Sequence, residues 1–306
     1  MTAKITVVTP SYNQAKYLEE TLRSVLSQRD QIHEYFVLDG GSNDGSAELI
    51  KKYADQSGGG IDYWHSQKDK GQSDAIHQGF QRATGDYIAW LNSDDVYLPG
   101  ALRLVREALE RNPHWDVVTG YHVRMDAESR ILTQHRIPGE SHTMVKWGVH
   151  HTSQQTCFFR KSLYDRVGGL DLSLHCAMDT ELWLRMFNAG STWGHIPQYL
   201  AGFRLHETAK GSAWIKEYAE ETQRVHERWP QYLETPRRHA GLLFYRMSQI
   251  LSLRHSRAKW ETKKNRGRKM TEIFGDWGPP VPPPSRASAA TNASPADPAA
   301  TVSVPA

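Results

Sequence analysis

Within its first 90 or so residues the chain alternates short apolar runs with helical patterns four times, and this alternation limits the fold more than any other feature. Ile5 to Thr9 is a β-rich run that stops at Pro10. Tyr35-Phe36-Val37-Leu38 is the second run, Ile61 to Trp64 the third and Tyr87 to Leu91 the fourth. Between them, Leu18, Leu22, Val25 and Leu26 fall at helical spacing, a second helix runs through Leu49, Ile50 and Tyr53, and a third covers Gly71 to Ala83. Unbroken apolar runs suit strands buried on both faces, and helices between strands imply parallel crossovers. The expected fold class is α/β: a three-layer α/β/α sandwich with a mostly parallel central sheet.

Sheets of this kind take their ligands beyond the carboxyl ends of the strands. The polar clusters follow that rule. Pro10-Ser11-Tyr12-Asn13 ends the first run, Asp39-Gly40-Gly41 the second, and Asn92-Ser93-Asp94-Asp95 the fourth. Adjacent carboxylates at a loop tip repel each other unless donors or a cation neutralise them, and one or two carboxylates plus substrate phosphates are a usual Mg²⁺ set. Taken alone, Asp94-Asp95 reads first as a cap for a helix near Leu98-Pro99-Gly100-Ala101. Its delivery to the ligand-binding edge favours a metal and phosphate site. Asp39 either hydrogen-bonds a nucleoside or closes a turn, and Tyr12 either stacks on a base or lies at the core edge.

The second half is less regular. Val117–Met125 and Arg130–Arg136 are expected to form a hairpin around Asp126-Ala127-Glu128-Ser129, with strands at Gln154–Arg160 and Tyr199–Leu205. A short helix should run to Val167, and further helices over Asp179–Asn188 and Ala213–Trp229. Asp179 opens its helix, where it is either an acid favoured by the helix dipole or a general base; Glu181 competes for that role. His206 is either a metal or phosphate ligand or a structural histidine.

These landmarks have a familiar order. Thr9-Pro10-Ser11-Tyr12-Asn13, Asp39-Gly40-Gly41-Ser42-Asn43-Asp44-Gly45-Ser46 and Gly85 to Asp95, followed by Val167-Gly168-Gly169-Leu170-Asp171, Asp179 to Arg185 and Arg204-Leu205-His206, resemble the family 2 glycosyltransferases. The resemblance covers about residues 4 to 210. It implies the GT-A (Rossmann-like) fold and an inverting transfer of a sugar from a nucleotide-sugar donor to a saccharide or lipid-linked saccharide acceptor. It also implies a divalent metal, Mg²⁺ or Mn²⁺, held by Asp95, Asp94 and His206, with Asp179 as the base. Pro10, Tyr12, Asp39 and Asp94 then bind the donor, joined by Gly71 and Asp74 at the start of the third helix. Asn92 stands where the family often has an aspartate, so Asp95 is expected to carry most of the metal contact. A sugar nucleotidylyltransferase, which would need a basic glycine-rich first loop, and a non-catalytic nucleotide-sugar-binding protein are the alternatives.

Composition narrows the partners. A net charge of +3 over 306 residues builds no field that selects nucleic acid. Cys157 and Cys176 are too few for a disulfide framework, and no apolar run reaches the roughly 18 residues of a membrane span, so a cytoplasmic protein is expected. Residues 1–230 should form the catalytic domain, with a nucleotide-binding half (1–115) and an acceptor half (116–230). The segment His135 to Gln155, with Trp147, His150 and His151, is expected to meet the acceptor. Residues 231–275 read as a basic helical extension. Within 237–269 the basic residues beside an interrupted apolar face either contact an anionic membrane surface peripherally or pack on the catalytic domain. Residues 276–306, rich in Pro, Ala and Ser, read as a disordered tail.

Overall fold

In the first strands, successive side chains are apolar on both faces, and helices cover both. The structure, a computed structural model, describes residues 2–55, 60–149, 151–207, 215–233 and 238–278. β1 (Ile5–Ser11) lies between β2 (Glu34–Asp39) and β4 (Tyr87–Trp90), and β3 (Tyr63–Ser66) pairs with β2; all three pairings are parallel. Helices α1 (Ala15–Leu26), α2 (Ser46–Ala54) and α3 (Gln72–Arg82) make the crossovers. Tyr35 and Val37 pack with Leu18, Leu22 and Ile50 on one face, while Phe36 and Leu38 pack with Ile76 and Phe80 on the other. That two-sided burial is the period of a strand meeting two helical layers. Gly79 allows α3 to sit this close: a Cβ there would lie 2.6 Å from Val8 Cγ1.

The sheet continues through β5 (Val96–Tyr97), β6 (Val117–Met125), β7 (Ile131–His135), β8 (Phe158–Arg160) and β9 (Trp193–Arg204). Its order is β3-β2-β1-β4-β8-β6-β9-β5, with β7 pairing with β6. The β6–β9 pairing is parallel; β4–β8, β6–β8, β6–β7 and β5–β9 are antiparallel. Most of the paired length is therefore parallel. Helix α4 (Ala101–Arg111) joins α1 and α2 on one face, α5 (His142–Lys146) follows β7, and α6 (Lys161–Arg166) and α7 (Met178–Asn188) join α3 on the other face. The α/β sandwich expected from the alternation is the fold observed.

Several boundaries differ from the sequence reading for local reasons. β1 runs through Pro10. Val8 accepts from Leu91 and Ser11 from Gly40, so even-numbered residues turn toward β4, whose pairing ends at Val8. The N–H that Pro10 lacks would meet no ladder. β3 starts at Tyr63 instead of Ile61, because the Asp62 carboxylate takes the Tyr35 N–H of β2 at 2.7 Å. Gln154–Thr156 is a 3-10 turn instead of strand, since the Gln154 amide reaches the Trp90 carbonyl (2.7 Å). The short β5 carries no periodicity and is found only in the structure.

The C-terminal helices are α8 (Ile215–Arg228), α9 (Pro230–Leu233), α10 (Arg238–Leu251), α11 (Arg254–Asn265) and α12 (Met270–Phe274). Thr262 and Asn265 of α11 hydrogen-bond Gln134 of β7, and Glu261 pairs with Arg136. Met270 and Trp277 join Val96, Val123 and Ile131 in a third core cluster. This part of the extension packs on the catalytic sheet. Trp277, assigned by sequence to the tail, is 4% exposed, and its indole donates to the Tyr97 carbonyl at 2.8 Å. The rest of the expected tail, residues 279–306, lies outside the described residues. No described helix is long and apolar enough to cross a membrane.

Candidate active site

The loops after β1 and β2 are stitched together. Asn13, at φ +52°, donates its N–H to Ser42 Oγ (2.8 Å) and accepts from the Asn43 N–H (3.1 Å). Asp39 is fully buried at the end of β2; its carboxylate accepts from Ser42 and from Ser66 Oγ (2.6 Å). Its contacts are those of a turn organiser at the end of β2. Tyr12 is 63% exposed, so its ring is not part of the core. Pro10 is buried at the strand end.

The loop after β4 carries the carboxylate pair. Asp95 is 1% exposed. One of its oxygens accepts the Arg204 N–H (2.9 Å), while Oδ2 is sealed from solvent with no hydrogen bond of normal geometry. Burial, and then the Asp94 charge, push the Asp95 carboxyl well above its usual range, against the lowering effects of Arg204 and Asn92. Asp94 is more open: its Oδ2 lies 2.9 Å from His206 Nε2. The His206 ring also lies against Tyr17, tilted, at 4.5 Å between ring centres.

Arg204 holds this turn in place. Its side chain is 1% exposed and donates to the Asp94 carbonyl (2.7 Å), Ser129 Oγ (2.8 Å) and Glu20 Oε2 (2.6 Å). Its guanidinium lies over the Tyr17 ring. Sequence reading used Arg204 only as a landmark. Its partners lie up to 184 positions away, which no local pattern reveals.

The first turn of α3 links this turn to α7. Gly71, at φ +108°, abuts the His175 ring. Gln72 donates to Asn92 Oδ1 (2.6 Å), and Ser73 contacts the Leu174 carbonyl and the Met178 sulfur. Asp74 caps the same turn, accepting from the Lys70 N–H (3.1 Å) and Gln78 (2.9 Å). Asp94, Asp95 and His206 are thus in one contact network. Among the described residues no hydrogen bond or ion pair joins Asp179 to them directly; α3 spans the interval.

Asp179 sits in the first turn of α7, and the protein around its carboxyl raises it above the usual carboxylate range despite a hydrogen bond from the Thr180 N–H (2.6 Å). Glu181 is 1% exposed and committed to Arg185 (2.7 Å) and Arg228 (3.3 Å). The loop before α7 is held by a residue that sequence reading missed. Glu221 of α8 accepts the N–H groups of His175, Cys176 and Ala177 at 2.7 to 3.0 Å. Burial opposes its charge, but those donors win and hold its carboxyl below the usual range.

In the expected acceptor segment, Glu140 accepts from Thr152 Oγ1 (3.0 Å) and from the His151 N–H, and burial pushes it up to about 7. Trp147 and His151 pack on Phe244 and Tyr245 of α10; His150 lies outside the described residues.

Comparison with known proteins gives the family and the fold. The description Glycosyl transferase family 2 matches residues 6–168, just over half of the chain, and the chain belongs to that family. An uncharacterised glycosyltransferase of Mycobacterium tuberculosis is 32% identical over 186 residues, covering 59% of this chain and 68% of the relative. The poly-beta-1,6-N-acetyl-D-glucosamine synthase of Staphylococcus aureus is 30% identical over 42% of this chain and 30% of its own length. Two solved structures share the fold. S. aureus TarS 1–349 in complex with UDP-GlcNAc has a TM-score of 0.59 at 17% identity, covering 77% of this chain and 69% of that one. The Pyrobaculum calidifontis mannosyltransferase PcManGT, in complex with GDP-Man and Mn²⁺, has a TM-score of 0.57 at 20% identity, covering 78% and 69%. The chain spans 41% of the longer TarS structure. The molecule is a glycosyltransferase of GT-A fold.

Proposed function

We propose that the chain moves a sugar from a nucleoside diphosphate sugar to a saccharide or lipid-linked saccharide hydroxyl with inversion, in the assembly of a cell-surface polysaccharide or glycolipid. The observation that carries the reading is Asp95: a buried carboxylate beside a second carboxylate, with one oxygen lacking a hydrogen bond of normal geometry. Such a group calls for a cation or a proton. Asp94, Asp95 and His206 offer an oxygen and imidazole donor set that fits Mg²⁺ or Mn²⁺. No described cluster of three such side chains is preassembled for a metal, so donor phosphate oxygens would complete the shell. When bound, the metal supplies positive charge where the leaving diphosphate gains negative charge.

Asp179 acts as the base. It takes the proton of the acceptor hydroxyl as the oxygen bonds to the anomeric carbon and the bond from that carbon to the diphosphate breaks. The commitment of Glu181 to Arg185 and Arg228 supports Asp179 over its neighbour. Exposed Tyr12 receives the base, and Pro10, Asp39, Gly71 and Asp74 shape the donor edge. UDP-GlcNAc in TarS and GDP-Man in PcManGT support a diphosphate-reading site without selecting the base.

The test is a thermal-shift screen of nucleoside diphosphates with Mn²⁺, Mg²⁺ or chelator, followed by donor turnover. Metal-dependent stabilisation that is lost in Asp95→Ala is expected. Stabilisation indifferent to metal and to Asp95 would remove the metal assignment.

A further inference from the structure

β7 and the helices α10 and α11 enclose an open groove of about 830 Å³ that none of the proposed donor, metal or base residues lines. Arg246, His255, Lys259, Lys263 and Arg266 line it, and no aspartate or glutamate does. Arg136 also reaches the groove, but Glu261 pairs with it from behind at 2.5 Å. Among the described residues, none of those five side chains forms an ion pair with a carboxylate. All five are exposed, so the charges of Arg246, Lys259, Lys263 and Arg266 sum in the groove instead of being neutralised.

The groove is not only cationic. Ile137, Tyr245, Ile250 and Ala258 form apolar parts of its wall. Beside it, α10 turns Leu243, Phe244, Met247 and Ile250 to solvent at 51 to 63% exposure. An apolar face of this kind bordering a basic groove matches a ligand with a phosphate head and a hydrocarbon tail: free phosphate would use only the cations, and the aliphatic Leu243, Met247 and Ile250 offer a nucleic-acid base no ring to stack on. We propose that this groove binds the phosphate head of an anionic membrane lipid, with the tail against the outer face of α10. The peripheral contact expected from the basic stretch thereby acquires a defined site. Since Tyr245 stacks on His151 at 3.9 Å, occupancy would hold the 140–152 segment at the lipid surface.

The test uses the full chain and co-sedimentation with vesicles of phosphatidylcholine, alone or mixed with phosphatidylglycerol. Binding only to the mixed vesicles is expected. Lys259→Glu with Lys263→Glu should weaken it at least about tenfold. Leu243→Ser with Met247→Ser should also weaken it, while leaving any retention on phosphate-bearing resin unchanged. All four side chains are exposed, so unchanged melting temperatures check that the variants fold. Equal binding to neutral vesicles, no effect of the lysine reversals, or no effect of the serine pair would overturn the proposal. Full displacement by inorganic phosphate or by RNA would overturn it as well. Nucleoside diphosphate binding is read separately on the same variants, so a failed donor site and a failed lipid site give different results.

Discussion

Replacing Glu221 tests whether the loop before α7 is held from outside its own helix. One oxygen, Oε2, accepts from His175 (3.0 Å), Cys176 (2.7 Å) and Ala177 (2.9 Å), while Oε1 accepts from His175 alone (2.8 Å). Hydrogen bonds to a charged group are worth about 1.5–3 kcal/mol each in a buried setting. Glu221→Gln can keep an amide oxygen at the Oε2 position, so it loses the charge and one contact, at a cost of about 1–2 kcal/mol. Glu221→Ala leaves three donors without this acceptor and should cost roughly 2–4 kcal/mol, less where water enters beside the half-buried His175 and Cys176. Urea denaturation measures both. Because the loop leads into Asp179, kcat should fall in the same order while nucleoside diphosphate affinity stays constant. The lowered carboxyl adds an acid signature: its stabilisation is present above the unfolded pKa near 4.5 and is lost as pH falls through the lower folded value. The glutamine variant should lack that loss. An alanine variant within about 0.5 kcal/mol of the parent and with full kcat would refute the reasoning.

Arg204→Ala should destabilise the chain by about 2–4 kcal/mol, because it removes the guanidinium that holds the Asp94 carbonyl and Ser129 and leaves Glu20 with Ser129 and water; an unchanged urea midpoint would count against the clamp. Asp179→Asn should cut transfer by about 10²- to 10⁴-fold with donor binding retained. Parent activity should rise with pH through a value above the normal carboxylate range. The raised folded pKa makes the protonated form the stabilising one, so the asparagine variant should melt no lower than the parent at neutral pH. Glu140 contributes stability that is full below about 4.5 and is lost as pH rises to about 7. Amide protection factors in residues 140–152, corrected for the intrinsic pH dependence of exchange, should therefore fall over that interval, and Glu140→Gln should flatten the fall.

Local physics made much of the molecule readable. Apolar runs such as Tyr35 to Leu38 bury alternate side chains under two helical layers, so their two-sided hydrophobicity declared the parallel sheet. The clusters that end those strands, Asp39 and Asn92 to Asp95, were therefore predictable as loops at the carboxyl edge of the sheet, where folds of this kind take their ligands. The β6–β7 hairpin was also legible, from two β-rich runs around a turn.

Tertiary structure decided what one-dimensional spacing cannot carry. The family resemblance favours Asp179 over Glu181, and the structure adds that Glu181 is tied to Arg185 on its own helix and to Arg228, which only the fold brings to it. Arg204 and Glu221 are an ordinary strand residue and an ordinary helix residue until the chain returns them to the Asp94 carbonyl and to the loop before α7. The basic extension resolved the same way. Part of it follows β7 into a third core cluster, and part leaves apolar side chains beside unpaired cations. Periodicity reports which faces are buried, because burial repeats along a strand or helix. It does not report which distant charge meets which donor, because that depends on how the elements close on one another.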